Sequence, residues 1–131
     1  MQNVLTKQTI DLKLPAQRSM MLVLRLTTAG VVARIGLGVD RMDDVKMAVE
    51  EACNCLISDE SAQEQLCLSF SVADQQLCVR ICADEGCHAP VAEEDELGIV
   101  RCILESLVDD VQMRIRDGEL RAVELRVALN M

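Results

Sequence analysis

Aromatic side chains are almost missing from this chain: it has no Trp and no Tyr, and Phe70 is its single Phe. Without stacking rings there is no platform for single-stranded bases. Basic residues are scarce as well, 13 Lys and Arg against 22 Asp and Glu, for a formal net charge of −9. Nonspecific nucleic-acid binding needs basic surface to displace phosphate counterions, so the charge argues against that class. An acidic surface suits a basic protein partner better. No apolar run approaches a bilayer span, because Met20-Met21-Leu22-Val23-Leu24 runs into Arg25. The opening residues, Met1-Gln2-Asn3-Val4, lack the basic region and apolar stretch of a secretory signal. The expectation is a soluble, cytoplasmic chain with neither direct nucleic-acid contact nor a membrane anchor.

Histidine is limited to His88, which bears on the seven cysteines. Cys78, Cys82, Cys87 and His88 invite a zinc reading. On a strand, however, Cys78 and Cys82 stand roughly 13 Å apart at about 3.3 Å per residue. Zinc needs its ligands about 2.0–2.3 Å from one centre. No metal site is assigned here. An odd count without a secretion signal points to reduced thiols acting as small hydrophobes.

Half of the 131 residues are hydrophobic, enough for a real core in one domain spanning 1–131 and too few for two. Ile10, Leu12 and Leu14 alternate with Asp11 and Lys13, predicting a strand that ends at Pro15. From Ala16 the pattern turns helical, with Met20, Val23, Leu24, Thr27, Val31 and Ile35 on one stripe until Gly36-Leu37-Gly38. Asp40 is the expected cap of a second helix, with Asp43 and Asp44 in its opening turn. Val45, Ala48, Val49, Ala52 and Leu56 form its expected buried face, and Ser58-Asp59-Glu60-Ser61 breaks it. Leu66 to Val72 and Leu77 to Ala83 alternate around Asp74-Gln75, which predicts a hairpin. Pro90 and Glu93-Glu94-Asp95-Glu96 read as a loop. A third helix has Ile99, Cys102, Ile103, Ser106 and Leu107 along one side. Two more alternating strands flank Asp117-Gly118.

The order strand, helix, helix, two strands, helix, two strands predicts an α+β fold. Its form is a two-layer α/β sandwich with a mostly antiparallel sheet and three helices on one face. In it, the second helix and the end of the Leu77 to Ala83 strand border one cleft. Glu51 and Asn54, one helical turn apart, and the strand-ending Asp84-Glu85-Gly86 are then the candidate walls of an adenine-nucleotide pocket. Glu51 also reads as an ordinary helix-surface carboxylate, and Asp84-Glu85-Gly86 as a plain turn.

Several segments in order resemble the anti-sigma factor serine-protein kinase family of the GHKL, or histidine-kinase-like, ATPase superfamily. They are Leu14-Pro15-Ala16, Arg25-Leu26-Thr27, Gly30 to Gly36, Asp44 to Cys53, Ala83-Asp84-Glu85-Gly86, Leu97-Gly98-Ile99 and Leu104 to Val111. The resemblance covers nearly the whole chain and implies a histidine-kinase-like ATPase domain. It implies that Glu51 is the general base acting on a serine of an anti-anti-sigma partner. The residue four positions on holds magnesium against the phosphates. Asp84 accepts a hydrogen bond from the adenine amino group, and Gly86 and Gly98 let the backbone approach the nucleotide. A carboxylate can take a hydroxyl proton, and hard magnesium wants oxygen. ATP and magnesium are therefore the implied cofactors, and a sigma factor and/or an anti-anti-sigma protein the implied partners. A homodimer is the implied assembly.

The chain departs from the family pattern at defined places. The magnesium position falls on Cys55, a soft ligand, and Asn54 beside it is turned by about 100° around the helix axis. His88 takes the third position of the first glycine box, and Asp95 and Glu96 stand where glycines are usual. The stretch between Asp84 and Gly98 is shorter than the family's nucleotide lid. The expected function is an anti-sigma regulatory factor of a bacterial partner-switching system with a degenerate ATP site. The alternative is an active ATP-dependent serine protein kinase that phosphorylates its antagonist.

Overall fold

The computed structural model of the chain describes residues 9–57, 65–83, 89–90, 94–116 and 119–129. Strand β1 (Ile10–Pro15) leads through a 3-10 turn (Arg18–Met20) into α1 (Met21–Ile35) and then α2 (Val39–Leu56). The hairpin β2 (Gln65–Ala73) and β3 (Gln76–Ala83) follows, then a two-residue bridge, β4 (Ala89–Pro90). Helix α3 (Glu94–Leu107) and the pair β5 (Asp110–Arg116) and β6 (Glu119–Ala128) complete the order.

All pairings are antiparallel: β1 with β2, β2 with β3, β3 with β6, and β5 along the far side of β6. β4 extends the line of β3 by pairing Ala89 and Pro90 with Leu120 and Glu119. Strand alternation puts Leu66, Leu68, Phe70, Val72, Leu77, Val79, Ile81, Val123, Leu125 and Val127 into one buried layer under the helices. Each such fully buried large side chain contributes about 1.5–3 kcal/mol relative to an exposed one. The α+β two-layer architecture expected from the sequence is the one observed.

The hairpin turn falls at Asp74-Gln75, where both residues take positive φ (52° and 60°). That is the pair of left-handed conformations a two-residue turn needs to match strand twist. At the end of α1, Gly36 takes φ 80°, and Leu37 N–H reaches the Val32 carbonyl at 3.3 Å. This is a Schellman-type stop, in which glycine meets no side-chain penalty.

Several local expectations shift. α2 begins at Val39 with Gly38 as its cap, so Asp40 lies in the first turn instead of capping it, and Asp43 and Asp44 lie beyond that turn. Its buried face is the expected one with Cys53 added. In α1 the buried residues are Leu24, Thr28, Val31 and Val32, whereas Val23 faces outward. The helix is apolar nearly all round, with Leu22 and Leu26 59% and 64% exposed, so periodicity alone does not choose a face. Thr28 is buried without penalty because its hydroxyl donates to the Leu24 carbonyl at 2.9 Å.

In α3 most of the expected face points to solvent, Ile99 and Ile103 being 63% and 42% exposed; of that face Leu107 packs against the core, together with Val100 and the buried Leu104. The acidic run read as a loop supplies the start of this helix from Glu94 onward. The expected breaks at Ser58-Asp59-Glu60-Ser61 and Asp117-Gly118 lie outside the described residues.

The start of α2 is tied to the far end of the sheet. Arg41 donates to Asp109 Oδ2 at 2.7 Å, and the same oxygen accepts the Ala128 N–H at 2.7 Å. α2 packs between α1 and α3 and rests on β3 and β6.

Candidate functional site

α2 is the element that positions the candidate site. Its buried stripe of Val45, Ala48, Val49, Ala52, Cys53 and Leu56 fixes its rotation, and two polar flanks follow from that. On one flank, Glu50 and Asn54 stand four residues apart and face α1. Arg25 Nε donates to Glu50 Oε1, and Arg18 donates to Asn54 Oδ1 at 3.1 Å. On the other flank, turned by about 100°, stand Glu51 and Cys55, also four residues apart and both half-buried. This flank lies away from α1, on the side of α3. Glu51 has no ion-pair or hydrogen-bond partner among the described residues.

Glu51 and Cys55 are coupled electrostatically. Burial first, and the Glu51 carboxylate second, push the Cys55 thiol up from its ordinary 9.0 to about 11. Cys53, one position from the flank and fully buried, is raised as well, chiefly by desolvation. At neutral pH both sulfurs are therefore protonated thiols.

This bears directly on magnesium. Magnesium takes oxygen ligands in a near-ideal octahedron. A protonated thiol at the position four residues after Glu51 is a poor donor for it. Asn54 does carry a hard oxygen, but on the α1 flank, where it accepts from Arg18. Among the described residues no group of three or more His, Cys, Asp or Glu side chains is placed to hold a metal. The Glu51–Cys55 flank does not fit magnesium in the way the family pattern requires.

Of the remaining expected residues, Gly98 lies on α3, exposed, and among the described residues a Cβ built there meets no atom within 4 Å beyond its own stretch of helix. Packing within the chain thus sets no demand for glycine at that position. Asp84, Glu85, Gly86, Cys87 and His88 lie outside the described residues; the strand that leads to them ends at half-buried Ala83. A cleft of ≈ 330 Å³ opens at the opposite end of α2, lined by Leu37, Asp40, Arg41 and Leu129 among others. It contains none of the expected site residues.

Sequence periodicity gave no sign of Arg18 and Arg25, which close the α1 flank. Their contacts span 36 and 25 residues of chain, and local spacing carries no signal over such distances.

No family model matches the chain. Among curated proteins it is similar to the serine-protein kinase RsbW of Bacillus mycoides (strain KBAB4), 26% identical over 129 residues, covering 85% of this chain and 80% of that protein. The RsbW proteins of Bacillus cereus (strain ATCC 10987 / NRS 248) and Bacillus anthracis (strain A0248) show the same identity and coverage. Among solved structures it is similar to a chain holding the RsbU and RsbW domains of Rv1364c from Mycobacterium tuberculosis. That match has a TM-score of 0.72 at 15% identity and covers 94% of this chain. This chain spans 33% of the length of that one, and the match shows the shared fold. The relatives found by sequence are thus serine-protein kinases of the RsbW type, the family whose motifs the chain resembles.

Proposed function

We propose that this chain is an anti-sigma regulatory factor of a bacterial partner-switching system. It acts in the cytoplasm by holding a sigma factor and/or an anti-anti-sigma antagonist, and its ATP site is degenerate. The similarity to RsbW proteins over most of the chain supports the regulatory role. The observation that carries the second half is the Glu51–Cys55 flank. The carboxylate that the family resemblance makes a general base is retained, while the magnesium position carries a thiol pushed up to about 11. An acidic chain of net charge −9 also suits a partner with a basic docking surface. The homodimer implied by the resemblance belongs to this same proposal.

The second reading is an active ATP-dependent serine protein kinase. Glu51 favours it, since it is unpaired among the described residues and lies on the helix flank away from the Arg18 and Arg25 contacts. In that reading Asp84 and Gly86 bind the nucleotide, Gly98 borders its phosphates, and ATP with magnesium is the cofactor pair.

Two measurements separate the readings. Run-off transcription with RNA polymerase and each sigma factor of the native cell should show inhibition of one sigma factor by this chain. Failure to inhibit any sigma factor and to capture any anti-anti-sigma protein ends the regulatory proposal. Calorimetric titration with Mg-ATP should give no heat above background. Saturable micromolar binding, lost in Asp84→Asn, with transfer of the γ-phosphate to a serine of the antagonist, selects the kinase instead.

A further inference from the structure

The sheet face turned away from the helices carries three thiols that the proposed function does not use: Cys67, Cys78 and Cys82. Cys67 on β2 and Cys82 on β3 are directly opposite one another in the ladder. Both are free and half-buried. The two-residue turn makes Ala73 and Gln76 the first hydrogen-bonded pair, and such pairs recur on every second rung. Counting down the register gives Ser71–Cys78, Ser69–Arg80 and then Cys67–Cys82.

A hydrogen-bonded antiparallel pair holds its Cα atoms about 5.5 Å apart, inside the roughly 4.4–6.8 Å that a disulfide spans. The Cβ atoms of opposed residues stand about 4.5–5.5 Å apart, wider than the ~3.8 Å mean of disulfides. Closing the bond therefore draws the two strands together, and a bond under such tension is readily reduced.

The other thiols among the described residues are poorly placed for the same chemistry. Cys78 donates to Glu124 Oε1 at 3.5 Å, and burial together with Glu124 raises its pKa. Cys53 and Cys55 are raised on α2. Cys102 is exposed on α3, on the other side of the sheet. Lys13 and Arg114 flank the opposed pair, and a third cation, Arg80, faces Glu124 across the ladder. Lys13 is in register with Cys67, Arg80 lies two residues before Cys82 on the same face, and Arg114 pairs with Ala122, the β6 neighbour of Cys82. Lys13 and Arg114 favour approach of an anionic reagent.

We propose that Cys67 and Cys82 form a reversible cross-strand disulfide by exchange with an anionic low-molecular-weight disulfide, of which glutathione disulfide is the representative. One thiol gives up its proton, and the resulting thiolate attacks a sulfur of the reagent. This forms a mixed disulfide and expels one glutathione thiolate, which takes up a proton. The second cysteine, deprotonated in turn, attacks the protein-side sulfur of the mixed disulfide and expels the second glutathione. The two protein thiols are oxidised by two electrons, and one disulfide is reduced to two thiols. The new bond fastens the end of β3, from which the chain continues to Asp84.

The test is incubation of the full chain with glutathione disulfide, alkylation of remaining thiols, and peptide mass spectrometry without reductant. The expected product is a Cys67–Cys82 linked peptide with no glutathione retained there, reversed by dithiothreitol. Cys67→Ser and Cys82→Ser, each checked for folding by circular dichroism, should instead retain glutathione on the remaining cysteine, because nothing opposite expels it. Retention of glutathione by the wild-type pair overturns the proposal. So does a bond joining other cysteines or two chains, or a pair that stays reduced.

Discussion

Along α2, the flank facing α1 and the flank on the side of α3 carry matching patterns, Glu50 with Asn54 and Glu51 with Cys55. The first is closed by Arg25 and Arg18, whereas Glu51 has no partner among the described residues. A carboxylate with a cationic partner is committed to holding two helices together. One without such a partner among the described residues stays open to the role proposed for it. The same residue type one position apart is therefore structural in one case and a functional candidate in the other. The difference comes from which neighbour the helix rotation presents.

The sharpest way to break this contrast is to remove what sets the rotation. Leu56 is fully buried at the end of the α2 stripe. Leu56→Ala should destabilise the fold by about 2–5 kcal/mol, as large-to-small core changes do, measured by urea unfolding. Both flanks should then lose their distinct behaviour together.

A smaller change addresses the Glu51 flank alone. Cys55→Asn should strengthen magnesium-dependent nucleotide binding by about tenfold or more, at least about 1.4 kcal/mol, so that a calorimetric signal absent from the wild type appears with the metal and not without it. Unchanged affinity would show that position 55 is not the metal position.

The same flank has a signature in alkali. The folded pKa of Cys55, about 11, lies above its ordinary 9.0, so the folded state keeps a proton that the unfolded state gives up first. Its contribution to stability is complete below about pH 9 and is lost as pH rises through about 11. Cys55→Ala should flatten that alkaline limb of the stability profile, with the raised Cys53 thiol still contributing in the same direction.

The smallest effect belongs to the α1 flank. Arg25 is 53% exposed in its pair with Glu50, so Glu50→Gln should cost less than about 1 kcal/mol. It should leave nucleotide affinity unchanged. A change in affinity would show that the two flanks act as one site.

Where alternation and turn chemistry agree, the sequence is enough. The β2–β3 hairpin and, Cys53 apart, the buried face of α2 are read from it residue by residue, since their apolar positions occupy one face and polar ones the other. α1 and α3 resist because each has apolar residues on two sides, so spacing supplies two candidate stripes and only packing against the sheet selects one. In α3 the selected stripe holds Val100 and Leu104, leaving Ile99 and Ile103 outside. The candidate site divides in the same way. Glu51 is legible from helical spacing, though with Asn54 as its partner, and Cys55 only through the family resemblance, whereas Arg18 and Arg25 meet α2 only through the tertiary fold.

The left-handed pair at Asp74-Gln75 has a consequence for how this gene can change. An insertion there that slipped the β2–β3 register by one residue would roll β3 over by half a turn. Val79 and Ile81 would be delivered to water, and Cys78 and Cys82 to the interior. Length variation at this tip is thus confined to changes the turn itself absorbs, and a change that slipped the strands by one would cost the core and the facing sulfurs in a single event.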